Sequence, residues 1–386
     1  MSDVLVGVPT TSYPRFEGDP AGSFVRDLCV ALVARGHRCE VLAPADEDAT
    51  GGPVDEGIRV HRVAHRPAGW PRTFYGAGAP DNLRDLRAWA GALAYPACLA
   101  AEVRRRGRSW DAVLSHWGMP SAASVWSVRG AQGHVAVWHS GDVHLTRRLG
   151  GARCWAGVAP WAARHVFVAA HLRARMPGAA GDPRAVVLPM GVTLPAAPAP
   201  REPMQGRRLR ALVLARLVPI KRIDVAIEAV LACHDVELIV AGGGPERSRL
   251  ERLARGSDRV RFVGEVGEAD KRALLDRADV FLATSGRTRD GATEGLPVAP
   301  REALVHGAAV LATDDPVHRE LAARAGSGVT LVGVPTVESL ARALGRFVRD
   351  PAELERARPR PGCLAEDAWP TLAARFETLL LEASGR

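Results

Sequence analysis

Glu294 and Glu302 stand with seven residues between them in TSGRTRDGATEGLPVAPREALVHG (284–307). Carboxylates placed around a helix start can accept hydrogen bonds from sugar hydroxyls, while the N–H groups of the first turn face a phosphate. Pro297 and Pro300 suit the start of that helix and Gly307 its end, so Glu294 is expected in the preceding loop and Glu302 in the first turn. Upstream, ARLVPIKRID (215–224) puts Arg216 at the end of a strand and Lys221 at the start of the next helix. Two fixed cations there suit a diphosphate, the arginine as a planar fork and the lysine as a point charge. Lys221 is the more telling, because of 51 basic residues only Lys221 and Lys271 are lysine. With abundant alanine, that preference matches the coding bias of a GC-rich genome, and a surviving lysine calls for a chemical reason. The glycine run AGGGPERSRLERL (241–253) lets backbone approach an anion, but it reads equally as a tight structural turn.

These residues need strands and helices to hold them. Short β-rich runs alternate with helical patterns, which predicts parallel sheets flanked by helices. Strands are expected at 4–10, 38–44, 58–63, 111–117, 134–140 and 165–170, with a helix over 22–35 closed by Gly36. The rhythm restarts with strands at 209–216, 236–244, 259–266, 280–284, 308–313 and 329–332. The fold class is therefore α/β, with two Rossmann-like, doubly wound domains whose carboxyl strand ends face across a cleft. The expected boundaries are 1–192 for the first domain, 193–208 for a Pro/Ala-rich linker and 209–365 for the second domain. A final amphipathic helix is expected over 366–386.

The 386 residues are 47% hydrophobic and 24% charged, which fits a folded two-domain chain and excludes disorder, a collagen-like fibre and a small disulfide scaffold. No run of about 18 apolar residues marks a membrane span, and the start reads as a buried strand instead of a signal peptide. Six scattered cysteines without a Cys-x-x-Cys pair suggest neither a zinc site nor a disulfide framework, and so a reducing cytoplasm. The net charge of +8 is concentrated in residues 1–200, with 22 basic against 16 acidic residues. Arg104, Arg105, Arg106 and Arg108 form a basic run with no interleaved aromatics, which reads as a solvated helix end and gives no case for nucleic acid. Asp46-Glu47-Asp48 imitates an Asp-x-Asp metal motif but is expected to be a solvated acidic loop, and no metal ligand set is read.

Taken together, the chain resembles the retaining glycosyltransferases of family 4, which have the GT-B fold. The resemblance rests on the clusters above and on SYPRFEGDPAGSFVRDLCVALVARGHRCEVLAP (12–44), HSGDV (139–143), LPMGV (188–192), VRFVGEV (260–266) and the terminal tryptophan helix. It implies that Arg216 and Lys221 hold the diphosphate, Glu302 the ribose and Glu294 the transferred sugar. It further implies that backbone N–H groups of Val298 and Ala299 cap a phosphate, that Gly22, Gly243 and Val266 border the nucleotide-sugar, and that His139 approaches the reacting centre. The terminal helix would cross back to the first domain. Ala215 and Arg222 replace glycines usual in the family, and Pro297 removes one N–H, which changes the fine phosphate geometry.

The implied reaction is retaining, metal-independent transfer of a hexose-type sugar, with a UDP-sugar favoured over a GDP-sugar and no cofactor beyond that co-substrate. Glu17, Asp19 and Asp142 are candidate acceptor ligands that would suit a cationic amino-cyclitol, as in an aminoglycoside-type antibiotic precursor from an actinobacterium. The basic first half pulls instead toward an anionic lipid surface, with peripheral membrane contact, and a polysaccharide or glycolipid acceptor is the alternative. A nucleotide-sugar epimerase or phosphorylase and a non-catalytic sugar-nucleotide-binding module are the competing classes. A nicotinamide dehydrogenase is disfavoured, since no Gly-x-Gly-x-x-Gly follows a strand.

Overall fold

Every strand pair among the described residues of the computed structural model is parallel. The central strands Ala112–His116, His134–Trp138, Val280–Ala283 and Ala309–Thr313 are buried along their whole length, while the edge strands are partly exposed. The structure describes residues 3–49, 56–76, 79–83, 85–196, 201–204, 206–288, 291, 293–333 and 337–386. The chain divides into two units, Met1–Gly191 with Trp369–Arg386, and Val192–Ala368.

The first unit holds β1 (Leu5–Pro9), β2 (Arg38–Pro44), β3 (Ile58–Val63), β4 (Ala112–His116), β5 (His134–Trp138), β6 (Arg164–Phe167) and β7 (Ala185–Val187), in the order β3-β2-β1-β4-β5-β6-β7. The three-residue β7 lies outside the strands expected from sequence; it is too short to show a pattern. The second unit holds β8 (Leu209–Leu214), β9 (Val236–Ala241), β10 (Val260–Gly264), β11 (Val280–Ala283), β12 (Ala309–Thr313) and β13 (Val329–Val332), in the order β10-β9-β8-β11-β12-β13. Chain order reverses between β1 and β4 in one sheet and between β8 and β11 in the other. Open sheets of this kind take ligands beyond the carboxyl ends at such reversals.

The terminal helix Trp369–Ser384 packs on the first unit through Leu372, Ala373, Phe376 and Leu380, all nearly or fully buried. Glu377 on the same helix holds Arg35 and accepts from His37 Nε2 at 2.9 Å. A Cβ on Gly191 would lie 2.3 Å from the Trp369 ring, so glycine is required where the chain passes the start of this helix.

Ion pairs place three local segments, and at Asp46 they correct an expectation. Within the segment expected as a linker, Arg207 pairs with buried Asp279 at 2.6 Å and Arg201 donates to the Asp276 carbonyl at 2.7 Å. Residues 197–200 and 205 of that segment lie outside the described residues. In the Asp46–Asp48 loop Glu47 and Asp48 are exposed as expected, but Asp46 is not solvated: its side chain has an exposure of 2% and meets Arg15 at 3.3 Å, Arg66 at 3.5 Å and Arg72 at 3.3 Å. In the basic run, Arg104, Arg105 and Arg108 are exposed as expected of a solvated helix end, and Arg106 alone turns inward, pairing with Glu102 at 3.0 Å and Glu40 at 3.3 Å. All six cysteines are free thiols. Among the described residues, no helix is long and apolar enough to cross a membrane.

Candidate functional site

The site residues of the second unit gather where the chain leaves β8 and β11, the two strands at the reversal. After β8, Arg216 is exposed and Lys221 ends the short 3-10 turn Pro219–Lys221. Arg222 then takes φ 48°, the left-handed conformation, before the helix Ile223–Leu231. The loop after β11 grips this turn: Thr284 Oγ1 donates to the Lys221 carbonyl at 2.9 Å, and Gly286 N–H donates to the Ile220 carbonyl at 3.0 Å.

That grip sets Lys221 beside Glu294, and the two form a direct ion pair although 73 positions separate them in sequence. Burial pushes the Glu294 carboxyl upward, but the Lys221 charge and hydrogen bonds from Lys221 and Ser285 outweigh it and hold the group below its ordinary value. Glu294 is therefore an acceptor-only carboxylate at neutral pH. Behind it, Thr313 Oγ1 donates to the Ser285 carbonyl at 2.7 Å, and fully buried His318 holds the Thr313 carbonyl through Nδ1 at 2.9 Å.

The glycine turn after β9 is packed against the Arg216 segment. Gly242 sits at φ 128° and a Cβ there would lie 2.0 Å from the Ala215 carbonyl oxygen; Gly244 at φ 152° would meet the Leu217 carbonyl oxygen at 2.5 Å. Leu217 N–H donates to the Gly243 carbonyl at 2.8 Å, and a Cβ on Gly243 would meet Glu265 Oε1 at 2.8 Å. The turn's visible task is to seat the backbone around Arg216. Val266, just beyond β10, is half-buried.

The helix after Glu294 spans Val298–Val305 with Pro297 as its N-cap, and no side chain caps it. Pro297 and Pro300 lack N–H groups, so Val298 and Ala299 supply the donors of the opening turn. Glu302 lies one turn later than the sequence spacing predicts, in the second turn, because the helix starts at Val298. Its Oε1 accepts from Lys271 Nζ at 2.8 Å. The neighbouring Arg301 is fully buried and pairs with Asp367 at 2.9 Å, which anchors the helix inside its own unit.

In the first unit, His139 caps the helix Ser140–Gly150 at the end of β5, and Gly22 caps the helix Ser23–Val33 after β1. Gly22 has φ 71°, and a Cβ would lie 2.5 Å from the Ser12 backbone. His139 is buried against Trp117, with ring centroids 4.6 Å apart, and against Phe24 at 5.2 Å. Its Nε2 lies 3.3 Å from His116 Nδ1. Burial lowers His139 to about 3 and holds His116 well below its ordinary value, so both rings are neutral at pH 7. Trp117 adopts φ 64°, a conformation costing a bulky residue about 1–3 kcal/mol, of the sort that concentrates at functional sites.

Two of the three expected acceptor carboxylates are committed internally. Asp19 is buried in an ion pair with Arg15 at 2.7 Å and accepts the Arg15 N–H at 2.9 Å. Asp142 accepts N–H groups from Gly118 at 2.6 Å, His139 at 2.8 Å and Val143 at 2.9 Å. Burial pushes its carboxyl up to about 8 against those N–H bonds. Neither offers a charge to a cationic acceptor; Glu17 alone is exposed. Lys271, Ser285, His318, His116 and Trp117 were missed as site residues in the sequence. Only Lys271 carried a signal there, its rarity.

Residues 200–360 match the family described as Glycosyl transferases group 1. Over 348 residues the chain is 27% identical to a phosphatidyl-myo-inositol mannosyltransferase of Mycobacterium leprae, covering 86% of this chain and 85% of that one. It is 34% identical over 154 residues to the colanic acid biosynthesis glycosyltransferase WcaL of Salmonella typhimurium, a match spanning 37% of each chain. Among solved structures, sucrose-phosphate synthase of Thermosynechococcus elongatus superposes with a TM-score of 0.73 at 17% identity, covering 98% of both chains. The two-domain, parallel-sheet architecture is therefore that of the GT-B glycosyltransferases.

Proposed function

We propose that this chain, whose residues 200–360 match the group 1 glycosyl transferases, is a glycosyltransferase that moves a hexose-type sugar from a nucleoside-diphosphate donor, a UDP-sugar in the first instance, to a hydroxylated acceptor. The observation that carries the reading is the meeting of Lys221 with Glu294 at the sheet reversal, beside Arg216 and the uncapped helix start at Val298. In this reading Arg216, Lys221 and the N–H groups of Val298 and Ala299 receive the diphosphate. Glu294 accepts from the sugar's hydroxyls and Glu302 from the ribose.

The leaving diphosphate gains negative charge as the glycosidic bond breaks. Fixed cations and N–H dipoles aimed there stabilise the transition state more than the ground state. In the retaining course proposed here, the acceptor hydroxyl attacks from the face the diphosphate leaves and gives its proton to a departing phosphate oxygen. The enzyme then needs no glutamate nucleophile, and Arg216, Lys221 and the helix start carry the charge without a divalent ion. His139, neutral at pH 7, is suited to hydrogen bonding and not to electrostatic stabilisation.

The acceptor reading moves from a cationic antibiotic precursor to a polysaccharide or glycolipid headgroup. Asp19 and Asp142, which argued for a cationic ring, are tied to the protein's own backbone and Arg15. The relatives' names, in colanic acid biosynthesis and phosphatidyl-myo-inositol mannosylation, support the same shift. The test is a panel of nucleotide-sugars offered with oligosaccharide and phosphoinositide acceptors. NMR of the product's anomeric proton is recorded with and without EDTA. A retained linkage that survives chelation is expected; an inverted one, or activity abolished by EDTA and restored by magnesium, rejects the mechanism. Epimerised donor formed without acceptor would replace transferase by epimerase.

A further inference from the structure

The two lysines of this arginine-rich chain each hold one of the two glutamates: Lys221 pairs with Glu294, and Lys271 with Glu302. Lys271 stands in the first turn of the helix Glu268–Arg277, a separate element from the helix that carries Glu302. Its Nζ lies 2.8 Å from Glu302 Oε1 and 2.7 Å from Glu268 Oε1. The side chain is largely covered, with 22% exposure, and Glu302 has 17%, whereas Glu268 has 82%. The contact that is sheltered from water is therefore the one to Glu302, and Glu268 is a solvated outer partner.

We propose that Lys271 is a positioning residue that fixes the Glu302 carboxylate for the ribose hydroxyls of the donor and so sets its preference for a ribonucleotide. This rests on the reading of Glu302 as the ribose ligand. The physical grounds are orientation and charge. A glutamate on an open helix face samples several rotamers, and an ammonium anchored from a neighbouring helix restricts it to one, with Oε1 held and Oε2 left for a hydroxyl. An unpaired Glu302 would also repel an incoming diphosphate; the Lys271 charge cancels that repulsion at close range. Burial favours a neutral Lys271, but the charge of Glu302 leads the contributions that outweigh it, so the ammonium persists at neutral pH. A compact ammonium bridges two carboxylates from a short first-turn position, where a planar guanidinium fork would need a different geometry, which explains why lysine persists in a chain that otherwise uses arginine.

The test compares the dissociation constants of UDP and 2′,3′-dideoxy-UDP by calorimetry for the wild type, Lys271→Met, Lys271→Arg, Glu302→Gln and the Lys271→Met/Glu302→Gln double variant. Circular dichroism checks that each is folded. The wild type is expected to prefer UDP. Lys271→Met should weaken UDP binding about tenfold while leaving 2′,3′-dideoxy-UDP nearly unchanged, so that the preference collapses. Lys271→Arg should restore part of it, and the double variant should bind no more weakly than Glu302→Gln. Equal weakening of both nucleotides by Lys271→Met would assign the lysine a general structural role and overturn the proposal. So would an unchanged preference in Lys271→Met alongside a lost preference in Glu302→Gln, and that outcome would leave the ribose reading of Glu302 standing. A wild type that binds UDP and its dideoxy analogue equally removes the ribose reading itself.

Discussion

Replacing Lys221 by methionine strands a carboxylate. The side chains of Lys221 and Glu294 are 21% and 12% exposed, so the pair lies between the surface and fully buried cases. Removing one partner of a buried pair costs about 3–5 kcal/mol; the residual access of water to Lys221 lowers that to about 2–3 kcal/mol here. Glu294→Gln should cost less, about 1 kcal/mol, since the freed ammonium can reach water. The Lys221→Met/Glu294→Gln double variant should be less destabilised than the sum of the singles by about 2 kcal/mol, because no unpaired charge remains. The stranded Glu294 in Lys221→Met has its pKa raised, so part of the lost stability should return on acidification toward pH 5. Function should not follow stability. Loss of a charge-assisted bond worth about 1.5–3 kcal/mol predicts roughly 10- to 100-fold weaker nucleoside-diphosphate binding in Lys221→Met and in the double variant alike. Urea titrations followed by circular dichroism and calorimetric titration of UDP measure the two quantities. Additive stability losses, or nucleotide affinity recovered in the double variant, would refute the reasoning.

Other outcomes follow from the same geometry. The first unit should lose stability as pH falls below about 6.5, because His139 and His134 are lowered to about 3, His165 to about 4 and His116 well below its ordinary value, all by burial. The unfolded chain takes up those protons first. Each histidine then removes about 1.4 kcal/mol per pH unit, while Asp142, raised to about 8, opposes them by gaining stability as pH falls from about 8 to about 4. All nine tryptophans belong to the first unit, so tryptophan fluorescence in urea at pH 7 and pH 5.5 isolates the effect; equal midpoints would contradict it. Gly242→Ala should destabilise by about 2 kcal/mol or more and weaken UDP binding, since its Cβ would displace Ala215 ahead of Arg216, whereas Gly267→Ala, with open space at its Cβ, should do neither in the same assays. His139→Ala should lower kcat in the transferase assay while leaving the UDP dissociation constant unchanged, because the residues proposed to hold the diphosphate belong to the other unit; lost UDP affinity would assign the histidine differently.

What the sequence revealed is what local pattern encodes. The strands Arg38–Pro44, Ile58–Val63 and Val329–Val332 have the expected bounds. The part of the candidate site legible in sequence was the rare Lys221 and the spacing of Glu294 and Glu302. Contacts between distant segments were not legible. Asp46 reads as an acidic loop until Arg15, Arg66 and Arg72 fold around it, and Asp142 reads as a ligand until three backbone N–H groups converge on it. His116 and Trp117 show no pattern at all; their significance comes from the stack on His139 that the β4 and β5 ends create.

The central claim is that the reversal between β8 and β11 receives a nucleoside-diphosphate sugar. A crystal structure of the protein soaked with UDP-glucose or GDP-mannose tests it most directly. The account predicts diphosphate oxygens within hydrogen-bond reach of Arg216, Lys221 and the Val298 and Ala299 N–H groups, the ribose on Glu302 and the sugar on Glu294. A nucleotide-sugar seated elsewhere in the chain, with the Lys221–Glu294 and Lys271–Glu302 pairs untouched, would contradict it.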